Sequence, residues 1–165
     1  MGFLTSSQQI YVGHFNMGVW FPAFFAAGGI CSAIGGFVNS QAVTRYGMEK
    51  LSHRALAVFL VLSLLMLGLG LLNMMSVWVF FGLSCLLFAC FSFVMSNFGA
   101  LAMMPLGAVA GTAASTQGFL QMVIGASIGA FIGQMFDGTT NPLALGFVVL
   151  IIMAGLTVML GTAKR

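Results

Sequence analysis

The sequence predicts an all-α, polytopic membrane protein, and its composition and its long apolar runs support this class. Of its 165 residues, 61% are hydrophobic and 4% are charged, whereas a soluble domain carries about 25% charged residues. So few charges cannot form a water-facing surface, and the lipid bilayer is therefore the expected solvent. The net charge of +3 is too small to indicate a nucleic-acid partner.

Five apolar runs approach or exceed the roughly 20 residues with which a helix crosses the hydrocarbon core. The runs do not alternate between apolar and polar residues, so they favour helices over the strands of a barrel. The first 17 residues are too polar to cross alone and lack the basic start of a signal peptide. The predicted spans are residues 18–43, 55–72, 77–96, 106–135 and 143–161.

The polar segments between the runs predict the orientation. The longest, residues 44–54, is predicted to be a loop and contains three of the five basic residues. The other two basic residues are Lys164 and Arg165, four spans later, so both clusters lie on the same side. The positive-inside rule assigns that side to the cytoplasm. The turn at 137–142, DGTTNP, then lies outside, with Pro142 at the start of the last helix.

Small residues line one face of the first span and one face of the fourth. Helices in lipid associate through close backbone packing along small residues, so these faces are predicted to dock against other helices. Packing within the same chain and direct contact with a ligand are the alternatives. The docking residues are Gly28, Ser32, Gly35 and Gly36 in the first span, beside Asn39, and Gly111, Gly118, Gly125, Gly129 and Gly133 in the fourth.

The third span carries a stripe on which aromatic and hydroxyl side chains alternate. Its members, one helical turn apart, are Phe81, Ser84, Phe88 and Ser92. This mixture is typical of a cavity that binds small amphipathic molecules. The alternative is that each serine bonds to its own helix while the phenylalanines fill a core.

No catalytic or metal-binding pattern is evident. The only acidic residues, Glu49 and Asp137, fall on opposite sides of the predicted membrane, and so do His14 and His53. No pair of carboxylates can meet at membrane depth, and the histidines cannot share a metal. The three cysteines lie inside predicted spans without CxxC spacing. We therefore expect neither an enzyme nor a bound cofactor or metal.

The order of several segments resembles the C-terminal half of major facilitator superfamily transporters, closest to the Bcr/CflA-type multidrug:proton antiporters. These segments are FVNSQAVTRYG, NFGALAMMPLGAVAGTAASTQGFLQ and the glycine-rich helix that ends at FDGT. In the first segment, Arg45 and Gly47 match the second, degenerate copy of the loop signature of that family. The resemblance covers essentially the whole chain.

The resemblance implies a partial C-terminal six-helix bundle, with five full transmembrane helices and the outer end of a sixth. It also implies a multi-pass protein of the bacterial inner membrane with a cytoplasmic C-terminus. Its partners would be the lipid bilayer, a missing N-terminal half that the glycine faces contact, a small amphipathic substrate and protons. Export by alternating access is the expected function. A carrier of another solute, or a small non-transporting membrane protein that acts through helix association, is the alternative.

Overall fold

The computed structural model describes residues 2–162, apart from the side chains of Ala108 and Thr162. The described chain is helical, without a strand. Its main elements are α1 (Gly2–Gln8), α2 (Phe21–Tyr46), α3 (Met48–Leu71), α4 (Val77–Met103), α5 (Ala110–Gln134) and α6 (Asn141–Thr162). A π-helical turn (Gln9–His14) continues α1, and short 3-10 segments (Gly18–Trp20 and Met104–Val109) precede α2 and α5.

Helices α2 to α6 are each long and apolar enough to cross a membrane. This confirms the predicted all-α, polytopic class. The third span runs on to Met103, past the predicted end at residue 96. The fourth begins at Ala110 rather than at 106, because the residues that follow Pro105 include Gly107 with a φ of 39°, which interrupts regular helix. The last helix begins at Asn141.

The predicted loop at 44–54 is wrong in extent, because the segment is helical except at one residue. Helix α2 continues to Tyr46 and α3 begins at Met48. Gly47 alone breaks the helix, with φ 80° and ψ 150°, a conformation that is open almost only to glycine. Polar residues of this segment therefore occupy the ends of two long helices.

Helix α4 is the centre of the bundle and packs along both α2 and α3, while α3 also packs against α6. Helix α1 packs mainly against α5, and its Phe3 ring stacks on Phe80 of α4. The buried apolar core lies where these helices converge. Its members are Phe3, Ile10, Tyr11, Met66, Phe80, Leu83, Leu87, Ile132, Leu143 and Ala144.

The helices define two ends of the bundle. We name the Asp137 end after the turn between α5 and α6, and the Tyr46 end after the junction of α2 and α3. His14 contacts Gly138 at the Asp137 end, so α1 and α5 both run toward that end. Trp20 and Trp78 begin helices there and are exposed, as is common for tryptophan at a membrane interface.

Candidate functional site: interhelical polar pairs and the α5 groove

The small-residue face of the first span packs against α4 of the same chain. A Cβ atom at Gly35 would lie 2.7 Å from the Cα atom of Ala89, and one at Gly28 would lie 3.1 Å from the Phe88 ring. Gly36, one residue further on, has no described atom within 4 Å of such a Cβ. The face that the resemblance assigned to a missing half is therefore covered by α4, because only glycine lets the two backbones approach this closely.

Two pairs of polar side chains join α2 to α4 along this contact. The hydroxyls of Ser32 and Ser92 lie 2.7 Å apart, and Ser92 Oγ donates to the Ser32 carbonyl at 2.8 Å. Nearer the Tyr46 end, the buried amides of Asn39 and Asn97 exchange hydrogen bonds of 3.2 and 2.8 Å. Polar groups at membrane depth are costly unless paired, and these pairs fix the register of α2 on α4.

The aromatic and hydroxyl stripe of the third span does not line one common cavity. Phe81 packs against Phe24 of α2, with ring centroids 5.0 Å apart. Phe88 packs edge-on against Phe3 at 4.7 Å, and Ser92 is engaged with α2 as described above. The stripe thus serves mostly as the surface by which α4 packs on α1 and α2.

Ser84 borders a small void, together with Phe88 of the same stripe. The Ser84 side chain is 4% exposed, and no described group hydrogen-bonds to its hydroxyl. The void has a volume of about 90 Å³. Besides Ser84, it is lined by Phe3, Phe59, Leu87, Phe88, Phe91 and Phe147. Such a small space could hold only a fragment of an amphipathic molecule.

The glycine face of the fourth span is divided into a packed part and an open part. Near the Asp137 end, Gly129 and Gly133 are buried, and Thr5 of α1 donates to the Gly129 carbonyl at 2.7 Å. A Cβ atom at Gly133 would lie 3.2 Å from the side chain of Thr5. The predicted docking role is therefore realised at this end by α1.

Toward the Tyr46 end, the same helix lacks a covering neighbour. Gly111 and Gly118 are exposed, and no described atom lies within 4 Å of a Cβ built on either. Gly125, between the two parts, is partly buried and borders a groove. The predicted partner of Gly111 and Gly118 is not among the described residues.

A groove of about 990 Å³ runs along α5 beside this open face; we name it the α5 groove. Most of its lining is apolar, and its polar members are the hydroxyls of Thr112 and Thr116 and the amides of Gln117 and Gln121. Met103 of α4 and Leu150 of α6 form its sides, and Gly2 of α1 lies at one end. This groove is much larger than the void beside Ser84.

The turn at the Asp137 end joins α1 to the α5–α6 connection. His14 Nδ1 donates to the Gly138 carbonyl at 2.6 Å. The hydroxyl and the amide of Thr139 donate to the Asp137 carboxylate at 2.7 and 3.0 Å. The hydrogen bond from the Thr139 hydroxyl is the main reason why the pKa of Asp137 is lowered, and the nearby His14 lowers this pKa further. This carboxylate is exposed and structural in its contacts.

Arg45 and Gly47, which match the loop signature, lie at the Tyr46 end. The guanidinium carbon of Arg45 is 5.6 Å from the centre of the Tyr46 ring, and that of Arg54 is 5.8 Å from it. Cations this close to an aromatic ring are attracted by its electron-rich face. The two arginines therefore join the end of α2 to the start of α3 around Gly47.

Sequence reasoning missed several residues of these contacts. It included Asn39 but not its partner Asn97, and it included neither Thr5 nor the glutamines of the α5 groove. Each is a polar residue within or beside an apolar run, and that property was the available signal. Within residues 2–162, no group of three histidine, cysteine or acidic residues could hold a metal ion.

Comparison with known proteins adds no relative. The sequence matches no protein-family model, no curated protein and no solved structure.

Proposed function

We propose that this chain is part of a secondary active transporter that exports small amphipathic compounds by alternating access, driven by the proton gradient. The observation that carries the proposal is the open side of α5, where Gly111, Gly118 and the α5 groove lack covering helices among the described residues. A helix that faces only lipid has no need of glycines or of the glutamines Gln117 and Gln121. Such a side suits a helix that contacts further transmembrane segments.

The sequence resemblance to the C-terminal half of major facilitator transporters supports the same proposal. In such an architecture two helical halves rock against each other around a site between them. Helices α2 and α4, joined by the serine and asparagine pairs, would move as one rigid unit. The open glycine face of α5 would contact the other half.

The acidic residues bear on how protons would be coupled. Asp137 lies in an exposed turn and Glu49 is exposed at the start of α3. Neither carboxylate is at membrane depth, where proton-carrying acids of transporters are found. We therefore assign the proton-coupling groups to the other half. The proposed location is the bacterial inner membrane, with the Tyr46 end and the C-terminus in the cytoplasm.

A transport assay on the native membrane assembly tests this function. The assembly is reconstituted into proteoliposomes with an imposed pH gradient, and proton movement is followed after addition of ethidium or another amphipathic cation. Substrate-dependent dissipation of the gradient is expected. If a panel of amphipathic cations and antibiotics produces no proton movement, the antiporter proposal is rejected.

A matched pair of variants tests whether transport depends on the open glycine face of α5 or is lost after any substitution in this part of the helix. Gly118→Leu places a bulky side chain on the open glycine face, and we expect it to abolish transport because the other half is held away. Phe119→Leu changes a neighbouring side chain that is 66% exposed, and transport should persist. Equal activity of both variants would show that the glycine face is incidental.

The same open face supports a second candidate function, that of a non-transporting protein which acts by helix association. Small residues at Gly111 and Gly118 favour close helix contact whether or not a solute moves. This candidate predicts that Gly118→Leu disrupts a stable membrane complex that shows no solute or proton flux. Flux in the reconstituted assembly would exclude it.

A further inference from the structure

Two of the three cysteines of the chain are brought together by the packing of α2 on α4. Cys31 belongs to α2 and Cys85 to α4, and a hydrogen bond joins their side chains. The two residues lie in different helices and far apart in the sequence, so CxxC spacing does not reveal them. The pair lies at the α2–α4 contact, apart from the α5 groove.

The neighbouring contacts explain why these two thiols meet. Helices α2 and α4 run parallel, because the asparagine pair follows the serine pair in both of them. Their backbones approach closely at Gly35, where a Cβ atom would lie 2.7 Å from the Cα atom of Ala89. Cys31 and Cys85 each precede this point by four residues, which is about one helical turn. The step leads to the same level and to nearly the same face of both helices.

The surroundings of the thiol pair are apolar and open to lipid. Both cysteines are partly exposed, and both helices are long and apolar enough to cross a membrane. Ile30 and Ile34, which flank Cys31 on α2, are exposed. A thiol in apolar surroundings stays neutral and reacts slowly with reagents dissolved in water. A reagent that modifies this pair must therefore itself dissolve in the bilayer.

We propose that Cys31 and Cys85 form a modification site, at which an organic hydroperoxide dissolved in the bilayer converts the two thiols into a disulfide between α2 and α4. One thiol attacks the terminal oxygen of the peroxide and the O–O bond breaks. The thiol proton passes to the leaving alkoxide, which gives an alcohol and a sulfenic acid. The second thiol displaces water from the sulfenic acid, and the S–S bond forms. Each sulfur atom is oxidised by one electron, and the peroxide bond is reduced by two.

The closeness of the second thiol makes the disulfide the expected product. A sulfenic acid at an isolated cysteine is open to further oxidation to a sulfinic acid. Here the partner thiol is already in contact, and groups held together react far faster than separate molecules do. All reactants and products are uncharged, so the reaction places no charge in the apolar interior. The inference requires no transport activity and stands apart from the proposed function.

Mass spectrometry of the full chain tests the proposal. The protein in liposomes is exposed to cumene hydroperoxide and then unfolded with N-ethylmaleimide, which blocks the thiols that remain. Disulfides are counted from the thiols that dithiothreitol then releases. Cys31→Ser, Cys85→Ser and Cys90→Ser are treated in the same way. Cys90→Ser is the matched control, because Cys90 lies on another face of α4, about 140° from Cys85.

A second control reports on the packing and on access of the peroxide. The Ser32→Cys/Ser92→Cys pair, whose parent hydroxyls are 2.7 Å apart, is introduced into a chain without the three native cysteines. A disulfide in this variant shows that α2 and α4 are packed in the liposomes and that cumene hydroperoxide reaches their contact.

We expect one disulfide within the unmodified chain and within Cys90→Ser, and none within Cys31→Ser or Cys85→Ser. If the native pair stays reduced while the introduced pair closes, the proposal is overturned. It also fails if neither pair closes, because the peroxide then does not reach the contact. Disulfides between chains, or a disulfide that requires Cys90, would equally overturn it. None of these outcomes depends on whether the assembly transports a solute.

Discussion

Asn39 and Asn97 place two amides in the interior of a bundle that is otherwise apolar. Each amide donates one hydrogen bond and accepts one from its partner, and both side chains are buried. A buried amide that loses its partner carries the full cost of its desolvation, whereas removal of both amides is close to neutral. The pair therefore contributes more to the specificity of the α2–α4 contact than to its net strength.

The asparagine pair yields a prediction for a double-mutant cycle. Asn97→Leu should destabilise the folded chain by about 1–2 kcal/mol, because Asn39 is left without its partner. Asn39→Leu combined with Asn97→Leu should recover most of that loss. Ser40→Ala, which alters an exposed hydroxyl that bonds only to its own helix, is the control. Thermal unfolding in detergent measures the unmodified chain, the two single variants, the double variant and the control, and purely additive losses would contradict the account.

Asp137 gives a pH dependence whose sign follows from its hydrogen bonds. Because the Thr139 hydroxyl and amide lower the pKa of Asp137 in the folded chain, the carboxylate stabilises the turn at neutral pH. That stabilisation is lost as the pH falls through the lowered pKa of the folded state. The melting temperature should therefore drop as the pH is lowered below about 5. The Asp137→Asn variant, which cannot titrate, should show a smaller drop in the same range, and an identical drop would refute this role.

At the scale of the helix, the contact between α2 and α4 depends on the positions of the glycines in α2. Gly35 and Gly36 are adjacent, yet one faces the backbone of Ala89 and the other has open space. Helices in lipid gain little from burying apolar side chains, so this close approach is a principal source of their association.

The two glycines provide a matched test of that contact. Gly35→Ala should destabilise the chain by about 1–3 kcal/mol, because the new methyl group overlaps the Ala89 backbone and pushes the helices apart. Gly36→Ala should be neutral or stabilising by up to about 1 kcal/mol, since alanine is the better helix former. Unfolding by denaturant in mixed micelles measures both. Equal losses would mean that the small-residue face does not determine the packing.

The existence of the helices could be predicted from the sequence more easily than their ends and their neighbours. Long apolar runs predicted five spans because the length needed to cross a bilayer is fixed. The prediction of a loop at 44–54 was wrong because a helix can carry polar residues beyond the hydrocarbon core. A single glycine, Gly47, is enough to reverse the direction of the chain. Periodicity placed Gly28 and Gly35 on a docking face but could not identify α4 as the partner. A row of small residues shows that a helix can be approached closely, but it does not show which helix approaches it.

The stripe of the third span shows that periodicity also fails to identify the neighbours of candidate site residues. Its period placed four side chains on one side of α4, but they do not share one cavity: Phe81 and Ser92 contact α2, whereas Ser84 and Phe88 border the small void. The α5 groove was not predicted, because it arises from three helices and the end of α1 together. Only the polar glutamines on α5 gave a local signal of it.

For the whole molecule, the distribution of basic residues predicts which end of the bundle is cytoplasmic. Arg45, Lys50 and Arg54 lie at the Tyr46 end, and the positive-inside rule places that end in the cytoplasm. In a cysteine-free background, Met74→Cys, which is exposed near the opposite end, should react with an impermeant maleimide in intact cells. Lys50→Cys should react only after the membrane is permeabilised. The reverse labelling pattern would show that the Tyr46 end lies outside the cytoplasm.

The arrangement as a whole is a bundle that is well packed around α4 and open along α5. Gly129 and Gly133 contact Thr5 of α1, whereas Gly111 and Gly118 have no residue of another described helix within 4 Å of an added Cβ atom. The central claim is that further helices of the native membrane assembly cover this open side.

A structure of that assembly in a lipid bilayer tests the claim most directly, by the distance from the α5 axis at Gly118 to the nearest helix that is absent from the described chain. We predict an interaxial distance of about 8–10 Å or less, as in closely packed helices. An assembly in which Gly111 and Gly118 face only acyl chains, with no helix beside them, would contradict the account.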